Sequence, residues 1–108
     1  MVVATDLGMV VNPNIVQQQI ESNIVFGLTA LLYGNITVKD GRVEQTNFDK
    51  YQLVRMPEVP KIEMHFVKST EKPGGIGEPG MALLSPTVAN AVFALTGKRL
   101  RKMPFSLA

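Results

Sequence analysis

The stretch Pro73-Gly74-Gly75-Ile76-Gly77-Glu78-Pro79-Gly80 places a single carboxylate among four glycines. Glycines let the backbone take positive φ and come close to a ligand. A carboxylate presented on such a loop can serve as a general base if it lies within hydrogen-bond reach of the proton it removes. Loops rich in Gly and Pro are also ordinary turns, so the pattern alone does not decide. Gly75 to Gly80 matches G-x-G-x-x-G literally. A dinucleotide fingerprint needs a helix that starts at once, its amides facing a pyrophosphate. Here the next helix is predicted only at Ser85-Pro86, Glu78 would repel phosphates, and no P-loop lysine follows.

Other chemistry is thin. His65 is the only histidine and stands beside Glu63, which reads as a polar surface pair. There is no cysteine, which excludes disulfides, thiolate nucleophiles and Cys metal sites. Lys98, Arg99, Arg101 and Lys102 cluster near the end, but the net charge is only +2, so no nucleic-acid partner is expected. A cationic helix end offsetting the dipole accounts for the cluster.

These residues must be held by something. The chain has 108 residues, 45% hydrophobic and 19% charged, which fits one globular domain over 1–108. Met1 to Thr5 reads as a strand, broken at Asp6-Leu7-Gly8. Asn12-Pro13 supplies an N-cap and a first-turn proline for a helix to about Tyr33. Ile15, Val16, Ile20 and Ile24 share one side of its first half. Its second half is apolar all round, which implies a surface at Leu28, Leu31 and Leu32 awaiting a partner, such as a second copy. Ile24 to Tyr33 is too short to span a membrane, and no signal peptide is visible, so location stays open. Asp40-Gly41 predicts a hairpin between 36–39 and 42–45. Pro57 and Pro60 leave 48–56 a loop with an edge segment. Lys61 to Val67 alternates as a half-buried strand. A second helix from Ser85-Pro86 ends at Gly97. The order β-α-β-β-β-α predicts an α+β fold: a mixed or antiparallel sheet with two helices packed on one face.

Taken together, Asp6-x-Gly8, Val11-Asn12-Pro13, Gln19-x-Glu21, Phe26-Gly27-Leu28, Phe48-x-x-Tyr51, Pro60-x-Ile62, Gly75-x-Gly77-Glu78 and Ala89-Asn90-Ala91 form an ordered set. It resembles the C-terminal part of the large, molybdopterin-binding subunit of xanthine oxidase/aldehyde oxidase-type molybdenum hydroxylases. The isoquinoline 1-oxidoreductase branch, which also carries "membrane-bound aldehyde dehydrogenase" names, is nearest, and Thr96-Gly97-Lys98-Arg99-Leu100-Arg101 fits it too. The resemblance covers nearly the whole chain. It implies that Glu78 is the base beside molybdenum, that Gln19 contacts the pterin, and that Gly75 and Gly77 lie in the loop near the metal. Two departures stand out: Leu7 where the family often has Cys, and Ser22-Asn23 where it usually has two glycines.

The resemblance further implies a molybdenum-molybdopterin cofactor in the full-length protein, oxidation of an aldehyde or N-heterocycle with water as oxygen source, and a fragment inactive alone. The expected partners are the remainder of the large subunit, an iron–sulfur small subunit or domain, and a small-molecule substrate. Iron–sulfur clusters need cysteines, which this chain lacks. The competing reading is a stand-alone interaction module that kept the fold and lost the catalysis.

Overall fold

The computed structural model describes residues 1–106. Strand β1, Val2–Thr5, lies parallel to β4, Glu63–Phe66, with Val3 opposite Met64 and Thr5 opposite Phe66. Parallel strands need a long crossover. Here helix α1, Pro13–Tyr33, supplies it, together with the hairpin of β2, Val38–Lys39, and β3, Arg42–Val43. A single 3₁₀ turn at Met56–Glu58 precedes β4, and helix α2, Pro79–Thr96, closes the order. The chain is thus α+β, but not with one mixed or antiparallel sheet. It has two separate two-stranded sheets, one parallel and one antiparallel. β2 and β3 are two residues each and exposed on both faces, so nothing drives them onto the β1–β4 pair. Residues 44–62 form no strand, the expected edge segment included.

Local signals act as their chemistry dictates. Asn12 Oδ1 accepts from Ile15 N at 3.1 Å and Pro13 opens α1. Asp40 and Gly41 take φ of 49° and 74°, the left-handed pair of a tight hairpin. Gly97 ends α2 at φ 72°. Met64 and Phe66 turn inward while Glu63 and His65 face water.

The core joins the two helices: Ile20, Ile24, Leu28 and Leu31 of α1 with Leu84 of α2. Each such side chain contributes roughly 1.5–3 kcal/mol relative to exposure. Gly27 makes the approach possible, since a Cβ there would fall 2.6 Å from Leu84 Cδ2. Three expectations are corrected. Helix α2 begins at Pro79, not at Ser85-Pro86, and runs through Pro86, forgoing the bond that residue would donate to the preceding turn. In the second half of α1, Leu28 and Leu31 are buried within the chain's own fold and Leu32 is half-buried, while Phe26 is 65% exposed; Phe105 N donates to Leu31 O at 2.8 Å. Ile15, placed on the inner side, is exposed.

Open apolar surface also lies on α2, where Leu83 is 68% and Leu95 87% exposed. Helix α2 is long and apolar enough to cross a membrane by length and composition, but it packs on α1 through Leu84. The radius of gyration is 16.6 Å, against about 13 Å for a compact chain of this length. The accessible surface is 8134 Å², roughly 2200 Å² more than the ~5900 Å² of a compact monomer of this mass.

One exposed clasp ties the 3₁₀ turn to the end of α1. The Tyr33 hydroxyl donates to the Glu58 carboxylate, which also accepts from Arg55 N at 2.7 Å. The Tyr33 bond, then the Arg55 bond, hold the Glu58 carboxyl below its usual range, and the Glu58 bond raises the Tyr33 phenol. The clasp's contribution is therefore lost as pH falls through the lowered carboxyl pKa, and again as it rises through the raised phenol pKa.

Candidate functional site

Two segments far apart in sequence meet to hold the glycine-rich loop. The chain turns at Asp6-Leu7-Gly8, where Gly8 N donates to Asp6 Oδ1 at 3.2 Å and Gly8 takes φ 74°. Only glycine fits there, because a Cβ would lie 2.2 Å from Lys72 O. Flanking bonds fix the contact: Met9 N to Glu71 O at 2.9 Å and Gly74 N to Leu7 O at 2.7 Å. From that base the loop leads into the start of α2. Nothing lies within 4 Å of a Cβ built on Gly75 or Gly77.

Glu78 is the residue from which α2 starts. Its side chain makes no capping bond to the helix and is exposed. It borders a cleft of about 220 Å³ lined by Ser22, Asn23, Phe26, Gly77, Glu78 and Met81. On the α1 side stands Asn23, 5% exposed. Its Nδ2 donates to Gln19 O at 2.6 Å and to Gly77 O at 2.7 Å. Its Oδ1 is buried with no partner among the described residues. Turning the amide over would set an oxygen against two carbonyls, so the network fixes this orientation. A buried unpaired acceptor costs about 1–3 kcal/mol.

The fold therefore brings Gly77, Glu78 and the Gln19 backbone together around Asn23. The Gln19 side chain is exposed on α1, and Gly75 lies farther along the open loop. Asn90 does not join them. It sits about 16 Å along α2 from Pro79, in a groove with Pro86, Ala89, Arg99, Leu100 and Arg101. Within the basic cluster, the Arg99 guanidinium stacks 3.4 Å over the Phe93 ring. His65 bonds to Glu63 at 2.8 Å on the surface. Among the described residues no group of three His, Asp or Glu side chains is placed to hold a metal ion.

The early start of α2 removes one ground for setting aside a dinucleotide, because a helix does follow the loop directly. The others stand. Glu78 would repel phosphates, no P-loop lysine follows, and Gly80 is covered by Asn23, whose Cβ would be 3.3 Å from an added Cβ. Asn23 itself was legible only as a departure from two glycines. A stronger signal was present: position 23 falls on the buried stripe 16, 20, 24, 27, 31 of α1, where an amide must find partners.

The family model of the molybdopterin cofactor-binding domain matches residues 1–60, and the chain belongs to that family. It is 36% identical over 102 residues to a membrane-bound aldehyde dehydrogenase [pyrroloquinoline-quinone] of Gluconacetobacter polyoxogenes, covering 94% of this chain and 13% of the relative. It is 36% identical over 101 residues to the isoquinoline 1-oxidoreductase subunit beta of Brevundimonas diminuta, with the same coverage. Quinoline 2-oxidoreductase of Pseudomonas putida 86 shares the fold at TM-score 0.83 and 22% identity, covering 95% of this chain and 14% of that one. A Cu,Mo-CO dehydrogenase does so at TM-score 0.76, covering 94% and 14%. The chain thus spans about 13% of the length of the curated relatives it matches.

The residues present fit the cofactor for which the family is named. The Gly77 Cα face is open, so a flat heterocycle can approach the backbone. Asn23 offers a buried, unpaired acceptor in the adjoining α1 turn. Glu78 brings the only carboxylate lining that cleft.

Proposed function

We propose that this chain is the C-terminal cofactor-facing piece, 1–108, of a molybdenum-cofactor-dependent hydroxylase, and that Glu78 is its general base. When bound, the molybdenum-molybdopterin cofactor supplies the two-electron oxidation, the part of the chemistry a polypeptide lacks. The substrate is an aldehyde or an N-heterocycle, with water as the oxygen source; the names of the relatives support that class. The Glu78 carboxylate accepts the proton given up as water becomes the nucleophile. Gly75 and Gly77 keep side chains out of the cofactor's way, and Gln19 contacts the pterin from the exposed side of α1. The remainder of the large subunit covers the α2 face around Leu83 and Leu95, and an iron–sulfur small subunit or domain takes the electrons away.

The observation that carries this reading is the uncapped Glu78 at the start of α2, bordering a cleft beside an open glycine. The excess surface of roughly 2200 Å² over a compact monomer supports a chain built to be covered. The test is the whole gene product. About 600 further residues of family sequence upstream are expected, several ordinary domains' worth. That protein should contain about one molybdenum per chain and transfer labelled oxygen from water to substrate, as a single cofactor site requires. The isolated chain should hold no stoichiometric molybdenum. An open reading frame without that sequence, or a full-length protein with no metal and no turnover, favours the stand-alone module instead.

A further inference from the structure

The loop that carries Glu78 is held at few points. Its near end is tied by Gly74 N to Leu7 O at 2.7 Å, and Ile76 packs against the core edge. On its helix side Glu78 is tied by Met81 N to Glu78 O at 3.1 Å, and on its loop side the nearest tie is Asn23 Nδ2 to Gly77 O, at 2.7 Å. That carbonyl and the Glu78 N–H belong to one planar peptide unit. Fixing the carbonyl fixes the orientation of the unit, and with it the Cα from which the carboxylate hangs. The same Nδ2 donates to Gln19 O, so the amide is itself locked onto α1. Asn23 is flanked on the buried stripe by Ile20, Ile24 and Gly27, which anchor that turn in the core. No glycine at this position could make either bond.

We infer that Asn23 is a positioning residue: its amide clamps the Gly77 carbonyl and so aims Glu78. The inference rests on the reading of Glu78 as the general base. In the full-length holoenzyme, Asn23→Ala and the near-isosteric Asn23→Asp are expected to lower kcat by a factor on the order of 10–10², the usual consequence of a misplaced group. KM should stay unchanged, with kcat expressed per bound molybdenum. Hydrogen exchange at the Met81 amide, which donates to Glu78 O at 3.1 Å, should quicken in both variants, while residues 16–31 keep their protection. In a Glu78→Gln background Asn23→Ala should change turnover little, because a residue acting through Glu78 has nothing left to aim. Unchanged exchange at the Met81 amide in both variants overturns the inference, and so does a full additional loss of turnover in the double variant. If Glu78→Gln alone keeps wild-type turnover, the base reading fails; quickened exchange in Asn23→Ala then still upholds Asn23 as the clamp of the loop.

Discussion

In the full-length protein, Glu78→Gln is expected to lower turnover by a factor on the order of 10²–10⁴, the usual worth of a positioned base, with fold and cofactor content intact. Gln is nearly isosteric with Glu, yet it does not accept a proton at neutral pH. The fold has little to lose, because the Glu78 side chain makes no capping bond and lies exposed. Glu71→Gln is the matched control. Glu71 is also exposed, on the same loop, but only its backbone is engaged, through Met9 N to Glu71 O at 2.9 Å and Glu71 N to Ser69 Oγ at 3.2 Å. Its turnover should stay near wild type. Wild-type turnover in Glu78→Gln at full cofactor occupancy would contradict the base assignment. A loss in Glu71→Gln instead would mean that the wrong carboxylate had been chosen.

Gly8→Ala is expected to damage both stability and activity. A left-handed φ costs an L-residue roughly 1–2 kcal/mol by itself, and at Gly8 the new Cβ also meets backbone, 2.2 Å from Lys72 O and 2.9 Å from Glu71 O. A backbone carbonyl cannot rotate aside as a flexible side chain would. The contact between 7–9 and 71–74 must open, and the loop leading to Glu78 moves with it. Gly41→Ala separates the two effects. Gly41 has the same φ of 74° but nothing within 4 Å of its would-be Cβ. It should lose only the backbone term, on the order of 1 kcal/mol, and keep full turnover. Thermal unfolding and steady-state rates of the two variants, measured side by side, check this. Equal losses of stability with unchanged turnover in both would show that the 7–9 contact does not hold the site.

What could be read from sequence was what is decided locally. Asn12-Pro13, Asp40-Gly41 and Gly97 each set a cap or turn within a few residues, and each behaves so in the structure. The alternation of β4 was likewise self-contained. The start of α2 was not. Glu78-Pro79 and Ser85-Pro86 both offer a proline for the first turn, and the choice falls to tertiary contacts: Gly80 against Asn23, and Leu84 over Gly27. The pairing of β1 with β4 joins residues about sixty positions apart, beyond any local signal. The covering of Leu31 needed the return of Phe105. The same distance hid Asn23, whose decisive bond reaches Gly77, 54 residues on. Glu78 could be singled out as a candidate because glycines around a carboxylate are a local pattern. Its clamp could not.

The most direct test of the central claim is X-ray diffraction at the molybdenum absorption edge on crystals of the full-length holoprotein. The anomalous peak should lie beside the Glu78 carboxylate, with pterin density over the Gly77 face and next to Asn23. A molybdenum peak remote from Glu78, with that carboxylate facing bulk water, would contradict the account.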